Sequence, residues 1–283
     1  MKSMMSKMEW KAIHIFYYDN QDYLLLKLIN SLVKKYNIQD FFFIRYWESG
    51  PHVRFRFKSK RIKELERDIE TFLRENPSSL EINKDDLIKI NKEYYRSENI
   101  KKHEPVMIAS NNSFKEFKYY PEYNKYFGKN GVEIAEEEFI FSSKLVLILL
   151  SINKDTSFKI ALACIFFRIL IDIIYTNEDA KKFLEIYRQY WLHFENYNNL
   201  KIEHEINLLD NMRIPLNSEN KLLFLFKRLK VEDFHKTIFF KMNKNQREKY
   251  LFNFLHLFNN RLGLTPKYEI IVSTIVKNYY ESI

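Results

Sequence analysis

The segment HVRFRF alternates imidazole or cationic side chains with apolar ones, and this period of two constrains the fold more than any other feature of the chain. Side chains of a β-strand point alternately to opposite faces. His52, Arg54 and Arg56 would therefore share one face, and the three apolar residues between and after them the other. An aromatic run precedes the segment, and the intervening Ser49-Gly50-Pro51 is typical of a tight turn. We predict a β-hairpin over residues 41–59.

The flanking segments extend this hairpin into a larger sheet. Residues 11–18 are rich in β-branched and aromatic side chains, which predicts a strand. Apolar residues then recur at helical spacing, first after an N-cap at Asp19 or Asn20, and again before Asn76-Pro77. We place a fourth strand within residues 79–95. The order β-α-β-β-α-β predicts a ferredoxin-like antiparallel sheet with two helices on one face.

From about residue 130 the pattern changes to long amphipathic or apolar helices. We therefore predict an α+β fold in which an N-terminal ferredoxin-like βαββαβ sheet is followed by an all-helical C-terminal half. The sheet subdomain is assigned to residues 1–98 and a mainly helical subdomain to residues 99–283. Residues 199–217 have no clear period and are interpreted as broken helix and loop.

The composition excludes several classes of protein. Only 4 of the 283 residues are Gly, and no glycine-rich phosphate loop occurs. The single cysteine, Cys164, lies in an apolar run and is interpreted as a core residue. The N-terminus has no apolar segment typical of a signal peptide, and Arg168 and Asp172 interrupt the most apolar stretch. We expect a soluble, cytoplasmic protein with no membrane partner.

The net charge of +9 and the pI of about 9.2 are those of a chain that attracts anionic partners. The Lys residues are spread along the chain and mixed with Asp and Glu, so many solvated helix faces are the favoured explanation of the charge. No nucleic-acid-binding motif is present, and we predict no direct DNA binding.

Three stretches could carry chemistry, and the hairpin is the first. Arg54 and Arg56 side by side suit a carboxylate or an enolate, because the planar guanidinium donates two parallel hydrogen bonds. His52 lies next to them, and Arg45 lies on the partner strand. A solvated strand face with ordinary ion pairs explains the same spacing.

The second stretch is the loop before the helical half, which carries Glu122 and Lys125. Gly128 and Gly131 in it are half of all glycines in the chain, which indicates a structured turn. A loop that only leads the chain into the next helix is the alternative.

The third stretch, FNFLHLFNNRLGL, places His256 and Asn260 on one face of a helix, with Arg261 next to them. A lone His among Leu and Phe is more often a satisfied core residue than a catalyst. The other His residues have no metal-ligand spacing.

Together these stretches resemble the C-terminal elimination domain of class I lanthipeptide dehydratases, which also occurs as free-standing thiopeptide-type bacteriocin biosynthesis proteins. The resemblance covers most of the chain in order, through EWKAIHIFYY, RYWESGPHVRFRF, YYPEYNKYFGKNG and HLFNNRL. It implies a single elimination-domain-like fold over residues 1–283.

The resemblance implies a lyase that removes glutamate from glutamylated Ser or Thr of a precursor peptide, leaving dehydroalanine or dehydrobutyrine. The developing enolate and the departing glutamate both need cations, and a His can move the proton. The implied catalytic residues are Arg54, Arg56, His256 and Lys125. The residues assigned to substrate binding are His52, Arg45, Glu122, Asn260 and Arg261. No cofactor and no metal are implied.

The chain departs from the family pattern in the loop. Lys125 stands where the family has Arg, which keeps the charge but loses the bidentate fork, and YFGKNG replaces a Gly-Gly pair. A long glutamylation domain is also missing from the chain. The implied partners are therefore a precursor peptide with leader and core, a separate tRNA-dependent glutamylating protein, and other maturation enzymes of ribosomally synthesised, post-translationally modified peptides (RiPPs).

Two alternative functions stay open. Free-standing relatives in thiopeptide pathways join two dehydroalanines by a formal [4+2] cycloaddition, which forms a pyridine and expels the leader peptide. Those relatives are expected to have lost the Arg/His set, so Arg54, Arg56 and His256 favour elimination. A non-catalytic module that binds an acidic leader peptide on the basic strand face is the second alternative.

Overall fold

A computed structural model of the chain describes residues 8–89, 108–197, 216 and 221–283. These residues form a four-stranded sheet and a series of helices, which agrees with the predicted mixture of helix and sheet. The strands are β1 (Lys11–Phe16), β2 (Phe41–Tyr46), β3 (His52–Phe57) and β4 (Ser113–Phe117). They lie in the order β2-β3-β1-β4, and every neighbouring pair is antiparallel.

The helices of the N-terminal part follow β1 and β3. The first, α1, runs through Gln21–Leu24, a π-helical segment at Leu25–Ile29, and Asn30–Lys35. Asn20 caps it, because its side chain accepts a hydrogen bond from the Tyr23 backbone, as the sequence predicts. The second, α2, spans Ile62–Glu75 and ends at Asn76.

The later elements that the structure describes, from Lys129 onwards, are helices. They are α3 (Lys129–Ile152), α4 (Thr156–Ile174), α5 (Asn177–Tyr197), α6 (Lys221–Arg228), α7 (Val231–Phe240), α8 (Lys244–Leu262) and α9 (Pro266–Ser282). Among the described residues, none of these helices combines the length and apolarity needed to cross a bilayer.

The predicted position of the fourth strand is wrong over residues 79–89, and residues 90–95 of the predicted segment lie outside the described residues. In the segment 79–95, the described residues up to 89 are irregular chain and a short helical segment, 84–89. Asn83 accepts a hydrogen bond from the Asp85 backbone, as an N-cap does, so helix initiation outweighs the short apolar alternation before it. The strand is instead Ser113–Phe117, which pairs with the free edge of β1.

The chain divides into two compact units. One unit takes Met1–Pro121 and Phe139–Ser151, and the other takes Glu122–Glu138 and Ile152–Ile283. The predicted boundary at residue 98 and most of the segment 199–217 lie outside the described residues.

One face of the sheet forms the core of the first unit. Val53, Phe55 and Phe57 are fully buried, as their alternation predicts. The same core takes its other buried side chains from the neighbouring strands and from α1 and α2: Ile13, Ile15, Phe41, Phe43, Leu25, Ile29, Leu65 and Ile69. Burying a side chain of this size stabilises a fold by about 1.5–3 kcal/mol. This face therefore fixes β3, and leaves its cationic side chains on the opposite face.

The predicted hairpin turn is present between β2 and β3. Ser49 and Gly50 both have positive φ angles, of 68° and 111°. A Cβ on Gly50 would lie 2.6 Å from the Tyr18 hydroxyl oxygen, so both the backbone conformation and the space require glycine there.

Candidate functional site

In the first unit, the face of the sheet opposite the core carries the predicted cationic residues. Arg54 lies directly opposite His14 on β1, and Arg56 lies opposite Ala12. Lys115 of β4 lies on the other side of His14. We call this surface the arginine face, defined by His14, His52, Arg54, Arg56 and Lys115.

Arg54 is held by three contacts on this face. Its guanidinium carbon lies 3.4 Å from the centre of the Tyr46 ring, a cation–π contact. Its Nε donates to His52 Nε2 at 3.1 Å, and its Nη2 lies 3.3 Å from a Glu48 carboxylate oxygen. The Arg54 side chain is 19% exposed, so its orientation is set while part of it stays accessible.

Arg56 lies among aromatic rings. Its guanidinium carbon is 5.4 Å from the Phe42 ring centre and 5.4 Å from that of Tyr119. The two guanidiniums therefore share a face whose walls are aromatic, where an anion would interact with less competition from water than on an open strand.

Two imidazoles accompany the arginines. His52 is buried; its Nδ1 lies 2.8 Å from the Gly50 carbonyl oxygen, and its Nε2 accepts from Arg54. The ring therefore carries its proton on Nδ1. Burial, together with the charge of Arg54, lowers the pKa of His52 to about 4. The predicted contact between His52 and substrate stays a prediction. In the structure, His52 holds Arg54 through the hydrogen bond to Nε2.

The sequence analysis did not single out His14, although Ala12, His14 and Phe16 occupy every second position of β1 and therefore share a face. It stacks between His52, at 5.0 Å between ring centres, and Phe117, at 4.0 Å. Burial lowers the pKa of His14 to about 2, and the charges of Arg54 and Arg56 act in the same direction. Both imidazoles are thus neutral at physiological pH, and the positive charge of this face comes from Arg and Lys.

Arg45 lies on the other face of the sheet from Arg54. It is opposite Val53 in the β2–β3 register and forms an ion pair with Asp22 of α1 at 2.5 Å. Burial lowers the pKa of the Arg45 guanidinium, and Asp22 opposes that effect. Because residues 44–46 alternate like any strand, Arg45 cannot share a face with Arg54, and it is not part of the arginine face.

In the second unit, Glu122 and Lys125 lie on an exposed turn. Their charged atoms are 3.8 Å apart, and the Lys125 backbone donates to the Glu122 carbonyl at 3.0 Å. Lys125 also borders a cavity of about 800 Å³ between α5 and α8, whose lining includes Lys182, Lys249 and Phe252. Lys125 is therefore accessible, and its charged neighbours in the lining are of both signs, because Asp179 and Glu248 also border the cavity.

Gly131 attaches this turn to α8. The Tyr250 hydroxyl on α8 donates to the Tyr126 carbonyl at 3.0 Å. A Cβ at Gly131 would lie 1.6 Å from that carbonyl oxygen and 2.5 Å from the Tyr250 hydroxyl, so only glycine permits the approach. The loop with Lys125 is thus fastened to the helix that carries His256, within the same unit.

His256 is held by a carboxylate that the sequence analysis did not single out. Its Nδ1 lies 2.9 Å from Glu269 Oε1, and its ring stacks on Trp191 with centres 4.8 Å apart. The His256 side chain is 35% exposed, whereas that of Glu269 is 1% exposed. The ring thus has one nitrogen fixed inside the unit, and its remaining edge is accessible.

Of the two residues predicted beside His256, Arg261 is fully buried. Its Nη1 lies 4.0 Å from a Glu138 carboxylate oxygen, and His235 lies 3.9 Å from the other oxygen of that carboxylate. Burial lowers the pKa of Arg261, and Glu138 opposes this. Asn260 is half-buried. The roles of Asn260 and Arg261 in substrate binding stay predictions.

Among the residues that the structure describes, no three His, Cys, Asp or Glu side chains are grouped as metal ligands. Cys164 is buried in α4, and burial raises the pKa of its thiol.

The fold resembles those of a pyridine synthase and a lantibiotic dehydratase whose structures have been solved. The pyridine synthase TbtD, from thiomuracin biosynthesis, is 14% identical and superposes with a TM-score of 0.65 over 98% of this chain and 99% of its own. The tRNA-dependent lantibiotic dehydratase MibB from Microbispora sp. 107891 is 16% identical, with a TM-score of 0.55 over 96% of this chain. The match spans 28% of MibB. No curated protein matches the sequence.

At these identities the two likenesses show a shared fold. Family membership is shown by the sequence, because residues 10–280 match the family described as lantibiotic biosynthesis dehydratase C-term. The match includes the arginine face, the loop with Lys125, and the helix with His256. The chain belongs to the family of lantibiotic biosynthesis dehydratase C-terminal domains.

Proposed function

We propose that this protein is a RiPP maturation enzyme of the lyase type, which eliminates glutamate from glutamylated Ser or Thr of a precursor peptide. The product would be dehydroalanine or dehydrobutyrine. The observation that carries the proposal is His256, with one ring nitrogen fixed on Glu269 at 2.9 Å and the rest of a 35% exposed ring accessible. Such an arrangement suits proton transfer at a single nitrogen.

The reaction needs one proton to move and one carbon–oxygen bond to break. His256 accepts the Cα proton of the glutamylated residue. The electron pair left on Cα forms the Cα–Cβ double bond, and the Cβ–O bond breaks so that glutamate leaves as a carboxylate. The proton then passes from His256 to solvent or to the departing carboxylate.

The arginine face supports a role in binding the negative charge. Arg54 and Arg56 would hold the enolate oxygen that develops as the proton leaves, and the glutamyl carboxylates. Lys125, with Glu122 at 3.8 Å, would be a further cation for the glutamyl group. We assign the proton transfer to His256 and not to His14, because a group with a pKa of about 2 is a poor base at neutral pH.

The proposal implies partners of defined chemistry. The substrate is a precursor peptide with leader and core, glutamylated by a tRNA-dependent protein, and other RiPP maturation enzymes act on the product. We further propose that the sheet is of the ferredoxin-like type, which the strand order β2-β3-β1-β4 supports.

The test is elimination from a chemically glutamylated precursor peptide, followed by mass spectrometry. Wild-type protein is expected to release glutamate and leave a dehydroamino acid. Arg54→Ala and His256→Ala are expected to lower kcat/KM by about 10²–10⁴-fold. Arg74→Ala, an exposed arginine on α2, is the matched control and should retain the wild-type rate. Unchanged glutamyl peptide with folded wild-type protein would refute the proposal.

Pyridine formation is the second candidate, because the likeness to the pyridine synthase TbtD covers nearly the whole of both chains. Its substrate would be a peptide that already carries two dehydroalanines. A macrocycle and a released leader peptide from that substrate, together with inert glutamylated peptide, would favour this candidate. A protein that binds leader peptide and alters neither substrate would be a binding module.

A further inference from the structure

In the reaction as proposed so far, the buried carboxyl group of Glu269 only holds one ring nitrogen of His256. Glu269 belongs to the buried stripe of α9 that also includes Ser273, Val276 and Tyr280, and it is 1% exposed. Charged side chains are rarely buried to this degree unless their oxygens are fully hydrogen-bonded, because desolvation otherwise costs several kcal/mol. The hydrogen-bond partners of Glu269 therefore indicate its role.

Each carboxylate oxygen of Glu269 has a separate set of donors. Oε2 accepts from the Tyr187 hydroxyl at 2.6 Å and from the Asn259 side-chain amide. Oε1 faces Nδ1 of His256 at 2.9 Å. When Glu269 is ionised, its oxygens only accept hydrogen bonds, so the His256 ring then carries its proton on Nδ1 and its Nε2 has the free lone pair.

We propose that Glu269 is the positioning residue that makes Nε2 of His256 the reacting nitrogen. The inference rests on the proposed function of His256. Trp191 contributes the second constraint, because its stacking at 4.8 Å fixes the plane of the ring while Glu269 fixes its rotation. Tyr187 and Trp191 both lie on α5, and Asn259 and His256 on α8, so three helices hold the pair.

The hydrogen-bond donors around Glu269 oppose its desolvation. They are a hydroxyl, an amide and an imidazole. Burial raises the pKa of Glu269, and the hydrogen bonds from His256, Tyr187 and Asn259 oppose that rise only in part.

Glu269→Gln tests the assignment at constant shape. The Gln carbonyl oxygen is expected where Oε2 now meets two donors, which turns its NH₂ group towards His256. That amide would donate to Nδ1, and the ring would then carry its proton on Nε2, where it can no longer accept one. ¹⁵N NMR of labelled His side chains reports this tautomer directly, and His256→Asn identifies the signal.

The expected results are an Nδ1–H tautomer in the wild type and an Nε2–H tautomer in Glu269→Gln. Elimination should fall by about 10²–10⁴-fold in kcat with KM unchanged, and Glu269→Asp should restore the Nδ1–H tautomer and part of the rate. Glu185→Gln on α5 is the matched control, because it makes the same change at a more exposed carboxylate, and should change neither readout.

Two outcomes would overturn the inference. An Nε2–H tautomer of His256 in the wild type would overturn the inference. This result needs no Glu269 variant, so it is decisive even if Glu269→Gln does not fold. A reversed tautomer with a wild-type elimination rate does so as well, since Nε2 would not then be the reacting nitrogen. Wild-type protein without elimination activity would refute the proposed function alone, because the tautomer is measured without substrate.

Discussion

Acid should destabilise the first unit through the imidazoles of the arginine face. The folded pKa of His52 is about 4, against an ordinary value of 6.5. Below pH 6.5 the unfolded chain therefore binds a proton at His52 that the folded protein does not bind, so the free energy of unfolding falls as the pH falls. The loss is complete near pH 4, where the folded ring is also protonated. Protonation of the folded ring is opposed by burial and by Arg54, which already donates to Nε2.

The magnitude follows from the two pKa values. Between pH 7 and pH 5, the gap between about 4 and 6.5 corresponds to a loss of about 2 kcal/mol from His52. His14, with a folded pKa of about 2, contributes in the same direction. A typical domain has only about 5–15 kcal/mol of stability, so the effect is large enough to measure.

Urea unfolding at pH 7 and at pH 5, followed by circular dichroism, measures the loss. His52→Asn removes one titrating group, and should reduce the difference in unfolding free energy between the two pH values by about 2 kcal/mol. His193→Asn, at an exposed position on α5, is the control and should leave that difference unchanged. If the two units unfold separately, the effect should appear in the transition of the unit that holds the sheet. An equal pH dependence in His52→Asn and wild type would refute the reasoning.

Three further predictions concern other parts of the chain. Asp22→Ala removes the carboxylate that is paired with the largely buried Arg45 and should lower the unfolding free energy by about 3 kcal/mol, whereas Asp22→Ala with Arg45→Met should recover most of the loss in the same urea assay. Tyr46→Leu removes the cation–π contact at 3.4 Å and should lower kcat/KM for elimination several-fold without a change in folded circular dichroism, unlike Tyr120→Leu at an exposed position. Cys164, whose thiol pKa burial raises, should react with a thiol reagent at pH 8 only after unfolding; rapid labelling of native protein would contradict its burial.

The hairpin was predictable because a strand with one buried face must alternate, and its two faces therefore separate in the sequence. The fourth strand was not predictable, because β4 is an exposed edge strand. It contributes little to the core, and its alternation of apolar and polar residues is weak. Its pairing with β1 is a long-range contact, which no local spacing reports.

In the candidate site, too, only some of the residues could be predicted from the sequence. His256 and Arg54 could be identified from their motifs, but the partners that control them could not. Glu269 follows His256 by 13 residues, across the turn at Gly263, and meets it only when α8 and α9 pack. One signal was available: a carboxylate in the apolar stripe of α9, which predicts a buried hydrogen-bonded group. Arg45 was placed with Arg54 by proximity in sequence, although strand alternation excludes it.

The path of α3 limits how this protein can be divided. The helix is continuous from Lys129 to Ile152, yet its residues up to Glu138 belong to one unit and Phe139–Ser151 belong to the other. The later part supplies the Ser143 hydroxyl to the Phe43 backbone at 3.2 Å and the Phe139 ring to Phe42. A fragment that ends at Pro121 would therefore expose the edge of β2. The shortest continuous fragment with an intact sheet must extend to residue 151 and carry part of the other unit with it, so a crossover between relatives anywhere from Pro121 to residue 151 should separate the sheet from the helix that contacts β2.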